Sequence, residues 1–433
     1  MSDAIIGCLG FLGALVLIGF GMPVATAMAL AGILGAVYLG DWGGMVFMLG
    51  SSPFESVFPY SFSVIPLFVA MGVFASYAGL SRALFTAINS FVGHRRGGLA
   101  MATIGACAMF GAICGSSLAT VATIGRVALP EMKRHGYDSS LATATVAAGG
   151  TLGVLIPPSI LLVVYGLLTQ SSVGKLFIAA MIPGILGALL YAAAIRVQVA
   201  RKPQLAPTSE RISAAERLRA LKQTWPVTLL FVTVIGGIFA GLFSPTEAAA
   251  VGAVGAFVLA LLSGEMTAEV LRKATAEVAS LSGMIFFILI GASFFNFFLE
   301  TTGLPQMLID LIRAADVAPL VVMLLILLFY IVLGCFMDSL SVVLLTVPIL
   351  APVAVELGYD LVWFGVIVVT VAEIGLITPP IGMNLFVVQA ASQGVSQSTV
   401  VRGIFPFILA DVIRLLMLVL VPALVLWLPG VLM

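Results

Sequence analysis

Ser116, Ser117, Thr120 and Thr123 stand in one apolar run of this chain, and Asp338, Ser339 and Ser341 stand in another. Each cluster has a second group of residues downstream that could work with it. The first is followed by Gly149-Gly150-Thr151, Gly153 and the double proline Pro157-Pro158. The second is followed by Glu373, Gly375, Thr378, Pro379-Pro380 and Asn384. Proline has no backbone donor and keeps the residue before it out of the helical region, so a double proline breaks an apolar helix, frees carbonyls and exposes half-helix ends. Hydroxyls and freed carbonyls are hard oxygen ligands, better suited to a weakly held alkali cation than to a transition metal. Half-helix N-termini can face an anion. The competing reading is that serine and glycine simply let helices pack closely.

Charged residues inside apolar runs are expensive and usually functional. Asp338 is the sharpest of them, with hairpin backbone donors as its structural alternative. Glu373, in Val371-Ala372-Glu373-Ile374, follows the same logic. Arg126 could pair with an anionic substrate, or its side chain could snorkel to the membrane surface. Ser117, Thr120, Ser339, Asn384 and Arg126 are the candidate substrate-binding residues. Asp411 and Arg414 are three residues apart on one helix, close enough to pair with each other. Cys8, Cys107, Cys114 and Cys335 lack metal-ligand spacing and read as small buried hydrophobes. His94 and His135 sit beside basic residues and read as headgroup-level anchors. No nucleophile–base order, zinc spacing or phosphate loop is visible, so neither an enzyme nor an ATP-driven pump is expected.

These residues must be positioned by membrane helices. The chain has 433 residues, 61% of them hydrophobic and 9% charged, with a formal net charge of zero. That composition calls for lipid as the solvent, and scattered basic residues argue against nucleic acid as a partner. With no basic leader and no clear cleavage site, the first apolar run reads as an uncleaved membrane helix.

The two halves repeat. An offset of 222 carries Gly153 onto Gly375, Pro157-Pro158 onto Pro379-Pro380, Ser117-Leu118 onto Ser339-Leu340 and Gly136-Tyr137-Asp138 onto Gly358-Tyr359-Asp360. Segments 99–114 and 117–130 are too short to span: 16 residues give a helix of about 24 Å, against a hydrocarbon core of about 30 Å. They read as a re-entrant hairpin with its tip at Cys114-Gly115-Ser116-Ser117. Segments 318–336 and 339–354 are the counterpart, with Met337-Asp338-Ser339 at the tip. Irregular backbone at that depth needs protein or a wet cavity around it.

The expected fold is therefore an all-α polytopic membrane protein of two repeats. Residues 1–199 form the first, with scaffold helices in 1–80, an interfacial arm at 81–98, a hairpin at 99–134, a broken helix at 139–170 and a helix at 174–199. A basic linker, 200–222, follows. Residues 223–433 form the second, with scaffold helices in 226–300, an arm at 302–316, a hairpin at 318–355, a broken helix at 361–392 and a last helix at 403–428. If the N-terminus is outside, most of the 19 basic residues, among them Arg95, Arg96, Lys133, Arg134, Arg201, Lys202 and Arg211, fall on the cytoplasmic side, and only Lys175 and Arg313 fall outside. An odd number of crossings in the first half then makes the repeat inverted. Paired helix breaks in inverted halves point to a secondary transporter with its site between them.

GSSLATVATIG at 115–125, PEMKRHGY at 130–137, GVLIPPS at 153–159, MDSLSVVLLTVPILAPV at 337–353 and EIGLITPPIGMNLFV at 373–387 together resemble the large membrane subunit of the tripartite ATP-independent periplasmic (TRAP) transporters. The resemblance runs through nearly the whole chain. It implies sodium-driven uptake of a small organic acid, such as a C4-dicarboxylate or a sialic acid, across the bacterial inner membrane. It also implies an elevator mechanism, in which hairpins and broken helices move against a fixed scaffold. About two sodium sites are implied between hairpin tip and helix break: one at Ser116, Gly153, Ile156 and Pro158, the other at Asp338, Gly375, Thr378 and Pro380. The implied partners are a small four-helix membrane subunit, which the two repeats leave no room to fuse, and a periplasmic substrate-binding protein. The small subunit would contact helices near 4–40 and 226–263, and both termini would be periplasmic. A stand-alone sodium–dicarboxylate symporter of similar inverted-hairpin architecture is the alternative, and a channel is a further one.

Overall fold

The computed structural model describes residues 3–208, 213–392 and 394–432. Arg211 of the linker lies outside the described residues. Every regular element among them is helical. Six helices are long and apolar enough to cross a membrane, and two bent helix pairs raise the number to as many as eight.

The first half opens with α1 (Asp3–Gly19), α2 (Val24–Tyr38), α3 (Trp42–Glu55) and α4 (Val64–Tyr77), followed by the arm α5 (Leu80–Val92). The hairpin is α6 (Gly98–Cys114) and α7 (Ser117–Arg134), the broken helix is α8 (Ser139–Leu155) and α9 (Ile160–Thr169), and α10 (Val173–Arg201) closes the half. The linker carries α11 (Ala214–Lys222). The second half runs through α12 (Trp225–Phe231), a π-helical stretch Val232–Gly236, the short α13 (Gly237–Phe239), α14 (Pro245–Leu262) and α15 (Ala268–Thr301) to the arm α16 (Leu304–Ala315). Its hairpin is α17 (Pro319–Gly334) and α18 (Ser339–Glu356), its broken helix α19 (Leu361–Ile377) and α20 (Met383–Ala391), and α21 (Gln397–Leu420) and α22 (Ala423–Leu432) end the chain. Arm, hairpin and broken helix thus recur in the same order.

Local chemistry explains the breaks. Pro157 and Pro158 cannot donate to the carbonyls of Gly153 and Val154, so α8 stops at Leu155. Ser159 then caps the new start, accepting from Leu162 N at 3.2 Å. In the second half Gly375 and Leu376 lose their i+4 donors in the same way, though Gly375 O accepts from Thr378 N at 3.0 Å instead. The chain re-enters a helix through Gly382, whose φ of +60° favours a residue without a Cβ. Both double prolines contain a cis bond, Pro157-Pro158 and Pro379-Pro380.

The core is built around the two broken helices. Every residue of α8 from Leu141 to Leu155 is buried, and so is every residue of α19 from Trp363 to Ile377. Each hairpin presses on the broken helix of its own half through paired glycines. A Cβ on Gly111 would lie 2.1 Å from Gly153 Cα, and one on Gly375 would lie 2.5 Å from Gly334 Cα. Backbones that close leave no room for any side chain. Helices α1, α2, α14 and α15 show the opposite character, with large exposed apolar side chains such as Leu34, Val254 and Phe287. In a membrane chain such faces meet lipid or another subunit.

The structure departs from the sequence reading in four places. Helix α3 is absent from that reading because Gly43-Gly44, Gly50 and Pro53 look like a loop; an Asp41 cap on Gly44 N at 3.0 Å starts it. The last helix of the scaffold expected at 226–300 runs one residue past it, from Ala268 to Thr301, as a 34-residue helix capped by Thr267. The last segment, 403–428, begins earlier, at Gln397, and is cut at Val421-Pro422. The linker is not wholly irregular. Ser213 and Glu216 form a capping box, with Ser213 Oγ donating to Glu216 Oε2 at 2.7 Å and accepting from Glu216 N at 3.3 Å.

The Ser213 hydroxyl, and then its backbone N–H, hold the Glu216 carboxyl below the usual glutamate range. A lowered carboxyl pKa stabilises the folded form above the ordinary value of about 4.3 and loses that effect as pH falls through the depressed one. Amide hydrogen exchange over residues 214–217, measured relative to the unstructured-chain rate at the same pH, is therefore expected to quicken at acid pH. Ser213→Ala should produce the same quickening at neutral pH, and an unchanged rate would show that the cap does not hold this helix.

Candidate functional site

Each hairpin tip ends one helix and starts another, and the residue at the joint is a helix cap. Gly115, at φ +63°, closes α6, and Ser116 caps α7 by accepting from Ala119 N at 3.4 Å. At the matching place Asp338 caps α18: Oδ1 accepts from Ser341 N at 3.0 Å, and Ser341 Oγ donates to Oδ2. Both Asp338 oxygens are therefore engaged by the start of its own helix, the hairpin role that was its structural alternative. Thr120 is fully buried, its hydroxyl donating to Ser116 O at 2.7 Å.

The breaks face these tips. Gly115 packs on Ile160, just past the first break, and Gly153 lies against Gly111 and Thr120. Ile156 is extended, at φ −80° and ψ 121°, and Pro158 is buried. In the second half Gly382 N donates to Cys335 O at 3.1 Å, tying the break to the tip. Thr378 Oγ1 donates back to Ile374 O at 2.7 Å. Thr378 is half-buried and Pro380 exposed, so the second break is more open than the first. Tip and break of each half are thus neighbours.

The two tips also meet each other. A cavity of about 240 Å³ is lined by Ser116 and Ser117 from one tip, Asp338 and Ser339 from the other, and Glu373 of α19. Ser339 Oγ donates to Glu373 Oε1 at 2.6 Å. Asn384 Nδ2 donates to Ser117 Oγ at 2.8 Å and to Ala147 O at 3.2 Å, joining α20 of the second half to α7 and α8 of the first. Three of the candidate substrate residues thus fall in two hydrogen-bonded pairs, Ser117 with Asn384 and Ser339 with Glu373, and Ser117, Ser339 and Glu373 line one cavity.

Arg126 is not in this cavity. It is exposed, its Nε donating to Ala122 O at 3.1 Å, and it lines a wider cavity of about 650 Å³ with Ser116, Thr123, Tyr77 and Glu277. Tyr77 Oη donates to Glu277 Oε2 at 3.2 Å. Ser116 lines both spaces, so the wide cavity leads from the first tip along the interface between α7 and helices α4 and α15. Tyr77 and Glu277 were not singled out from the sequence. Glu277 sits in a polar helix end that resembles any solvated face.

Asp411 and Arg414 do pair, at 2.8 Å, with side chains 0% and 1% exposed. Tyr191 of α10 donates to Asp411 Oδ2 at 2.5 Å and lies 3.0 Å from Thr151 Oγ1 of α8. The pair thus anchors α21 to α10 and to the first broken helix.

Residues 11–424 match the family described as "Tripartite ATP-independent periplasmic transporter, DctM component". The chain belongs to this family. It is 39% identical over 378 residues to the C4-dicarboxylate TRAP transporter large permease protein DctM of Pseudomonas aeruginosa, covering 87% of this chain and 88% of that one. The sialic acid TRAP transporter large permease protein SiaM of Vibrio cholerae is 32% identical, with 99% and 98% covered. In fold the chain is similar to the YdaH transporter of Alcanivorax borkumensis, at a TM-score of 0.65 and 15% identity over 95% of this chain and 98% of that one. A DctM-type chain is a transporter permease, not an enzyme, and it is one component of a tripartite system. The all-helical, multi-pass membrane architecture agrees with that membership.

Proposed function

We propose that this DctM-type chain is the large membrane subunit of a sodium-coupled importer of a small organic acid in the bacterial inner membrane. The convergence of both hairpin tips and Glu373 on one cavity carries this reading. A substrate held there touches both halves, so order at either tip is felt by the other, and sodium and substrate help each other bind by linkage. Ser117, Thr120, Ser339 and Asn384 serve the substrate. Arg126 lies on its route through the wider cavity.

The sodium sites are proposed at the two tip-and-break pairs. Proline leaves the carbonyls of Gly153 and Val154, and of Gly375 and Leu376, without their usual helical donors. Such oxygens, with the Ser116 hydroxyl or the Asp338 carboxylate nearby, suit a hard monovalent cation. One site takes Ser116, Gly153, Ile156 and Pro158, and the other Asp338, Gly375, Thr378 and Pro380. The relatives named for C4-dicarboxylate and sialic acid transport support a carboxylate substrate.

The glycine contacts between hairpin and broken helix favour their moving as one block against α1–α4 and α12–α15, an elevator mechanism. The exposed apolar faces of α1, α2 and α14 are where a separate four-helix small subunit would dock. A periplasmic binding protein would deliver the substrate. The two halves are then inverted repeats, with both termini periplasmic.

In proteoliposomes holding the whole transporter, Ser116→Ala and Asp338→Ala are each expected to weaken sodium dependence several-fold while the chain still inserts. Wild-type sodium dependence in both variants would refute the site assignment. Uptake by this chain alone, with no binding protein, would replace the tripartite reading with a stand-alone symporter.

A further inference from the structure

Glu373 has no part in either tip-and-break site, yet it is a carboxylate 1% exposed on the wall of the cavity between the tips. Ser339 serves Oε1, while Oε2 has no hydrogen-bond partner and no ion pair reaches it among the described residues. Arg414, the buried cation of the same core, is engaged with Asp411. Ser117 lines the same cavity as this carboxylate. Behind it Asn384, 0% exposed, uses Nδ2 on Ser117 and on Ala147 O, leaving Oδ1 without a partner. Glu373 Oε2 and Asn384 Oδ1 are thus two buried acceptor oxygens without hydrogen-bond partners among the described residues. Buried acceptors left this way are costly and call for a donor or a cation.

The deficit is one of positive charge as well as of donors. The cavity is otherwise walled by Leu118, Leu161, Leu376 and Met284, which screen a carboxylate poorly. A bare carboxylate would also repel the organic anion that the cavity is proposed to accept. A proton on Oε2 would neutralise the carboxylate but would draw in neither the Ser117 nor the Ser339 hydroxyl oxygen as a ligand. A cation draws several oxygens at once, and a single carboxylate among neutral hydroxyl and amide oxygens suits one positive charge. Asp338 is already assigned to the second tip-and-break site, which leaves Glu373 as the cavity carboxylate without an assigned ion.

We infer that Glu373, with the Ser117 and Ser339 hydroxyls, holds a third monovalent cation of the sodium class between the two tips. The inference rests on the sodium-coupled reading above and adds one ion to it. That ion neutralises the wall on which the substrate carboxylate lies, so substrate and cation enter together.

The test uses the whole transporter complex. Sodium-to-substrate stoichiometry is read from reversal potentials in proteoliposomes with equal pH on both sides, and sites are counted by equilibrium binding of radioactive sodium. Glu373→Gln is expected to move one sodium fewer per substrate and to bind one fewer, with the remaining sites still occupied. Glu373→Asp is expected to keep the count with weaker affinity. An unchanged count in Glu373→Gln overturns the inference. So does loss of sensitivity to an imposed pH gradient in that variant with sodium stoichiometry intact, since Glu373 would then carry a proton. If Glu373→Gln does not fold, Ser117→Ala carries the test: it must raise the sodium concentration for half-saturation several-fold, and an unaltered binding curve overturns the inference. A wild-type complex that shows no sodium dependence at all defeats the proposed function itself, and so is distinct from these outcomes.

Discussion

Arg414→Met is expected to destabilise the purified protein by about 3–5 kcal/mol, the usual consequence of stranding one charge of a buried pair. The reason is the enclosure of its partner. Asp411 is 0% exposed and Arg414 is its counter-ion at 2.8 Å, with the guanidinium 6.0 Å from the Tyr191 ring centroid. Removing the arginine leaves Asp411 with the Tyr191 hydroxyl alone. The double variant Asp411→Leu with Arg414→Met should recover much of the loss, because a well-packed apolar pair is often no worse than a buried ionic one. Thermal unfolding in detergent, followed for both singles and the double, measures this. A single variant as stable as the wild type would mean that the pair is not closed from solvent in the folded protein.

Gly153→Val should be comparably severe but differently placed. The added Cβ alone would lie 2.5 Å from Gly111 Cα, and neither backbone can yield without opening α6 from α8. Overpacking of this kind costs about 1–3 kcal/mol and often more where backbone faces backbone. Transport is expected to fall to background while the chain still reaches the membrane, because the apolar spans that drive insertion are untouched. The mirrored change, Gly375→Val, should act likewise against Gly334. If either variant transported at the wild-type rate, the hairpin and broken helix would not be in close contact during the cycle.

Much of this arrangement could be read from the sequence, for definite physical reasons. A double proline ends an apolar helix whatever surrounds it, so both breaks were legible to within a few residues. The first hairpin was legible because 16 apolar residues fall short of a bilayer and a Gly-Ser tip marks the turn, the second through its 222-residue match to the first. The 222-residue offset matched the tips and breaks of the two halves before any contact was known. What escaped was either weakly apolar or long-range. Helix α3 hides behind glycines and a proline. The capping box at Ser213 and Glu216 was legible in principle, but a basic, polar stretch masks it. The role of Tyr191 depends on Asp411, 220 residues away. The engagement of Glu373 by Ser339, and of Asn384 by Ser117, depends on how two distant tips are brought together, which no local pattern encodes.

The Asn384–Ser117 bond links positions separated by 267 residues, one in each half of the chain. A change at Ser117 alters what Asn384 can hold, and the reverse is equally true, so substitutions there should show strong non-additivity in a double-mutant cycle. Symmetry laid out the frame, but the contact at its centre is asymmetric: the 222-residue offset pairs Ser117 with Ser339, while its hydrogen-bond partner is Asn384. At this contact the two halves are complementary rather than equal.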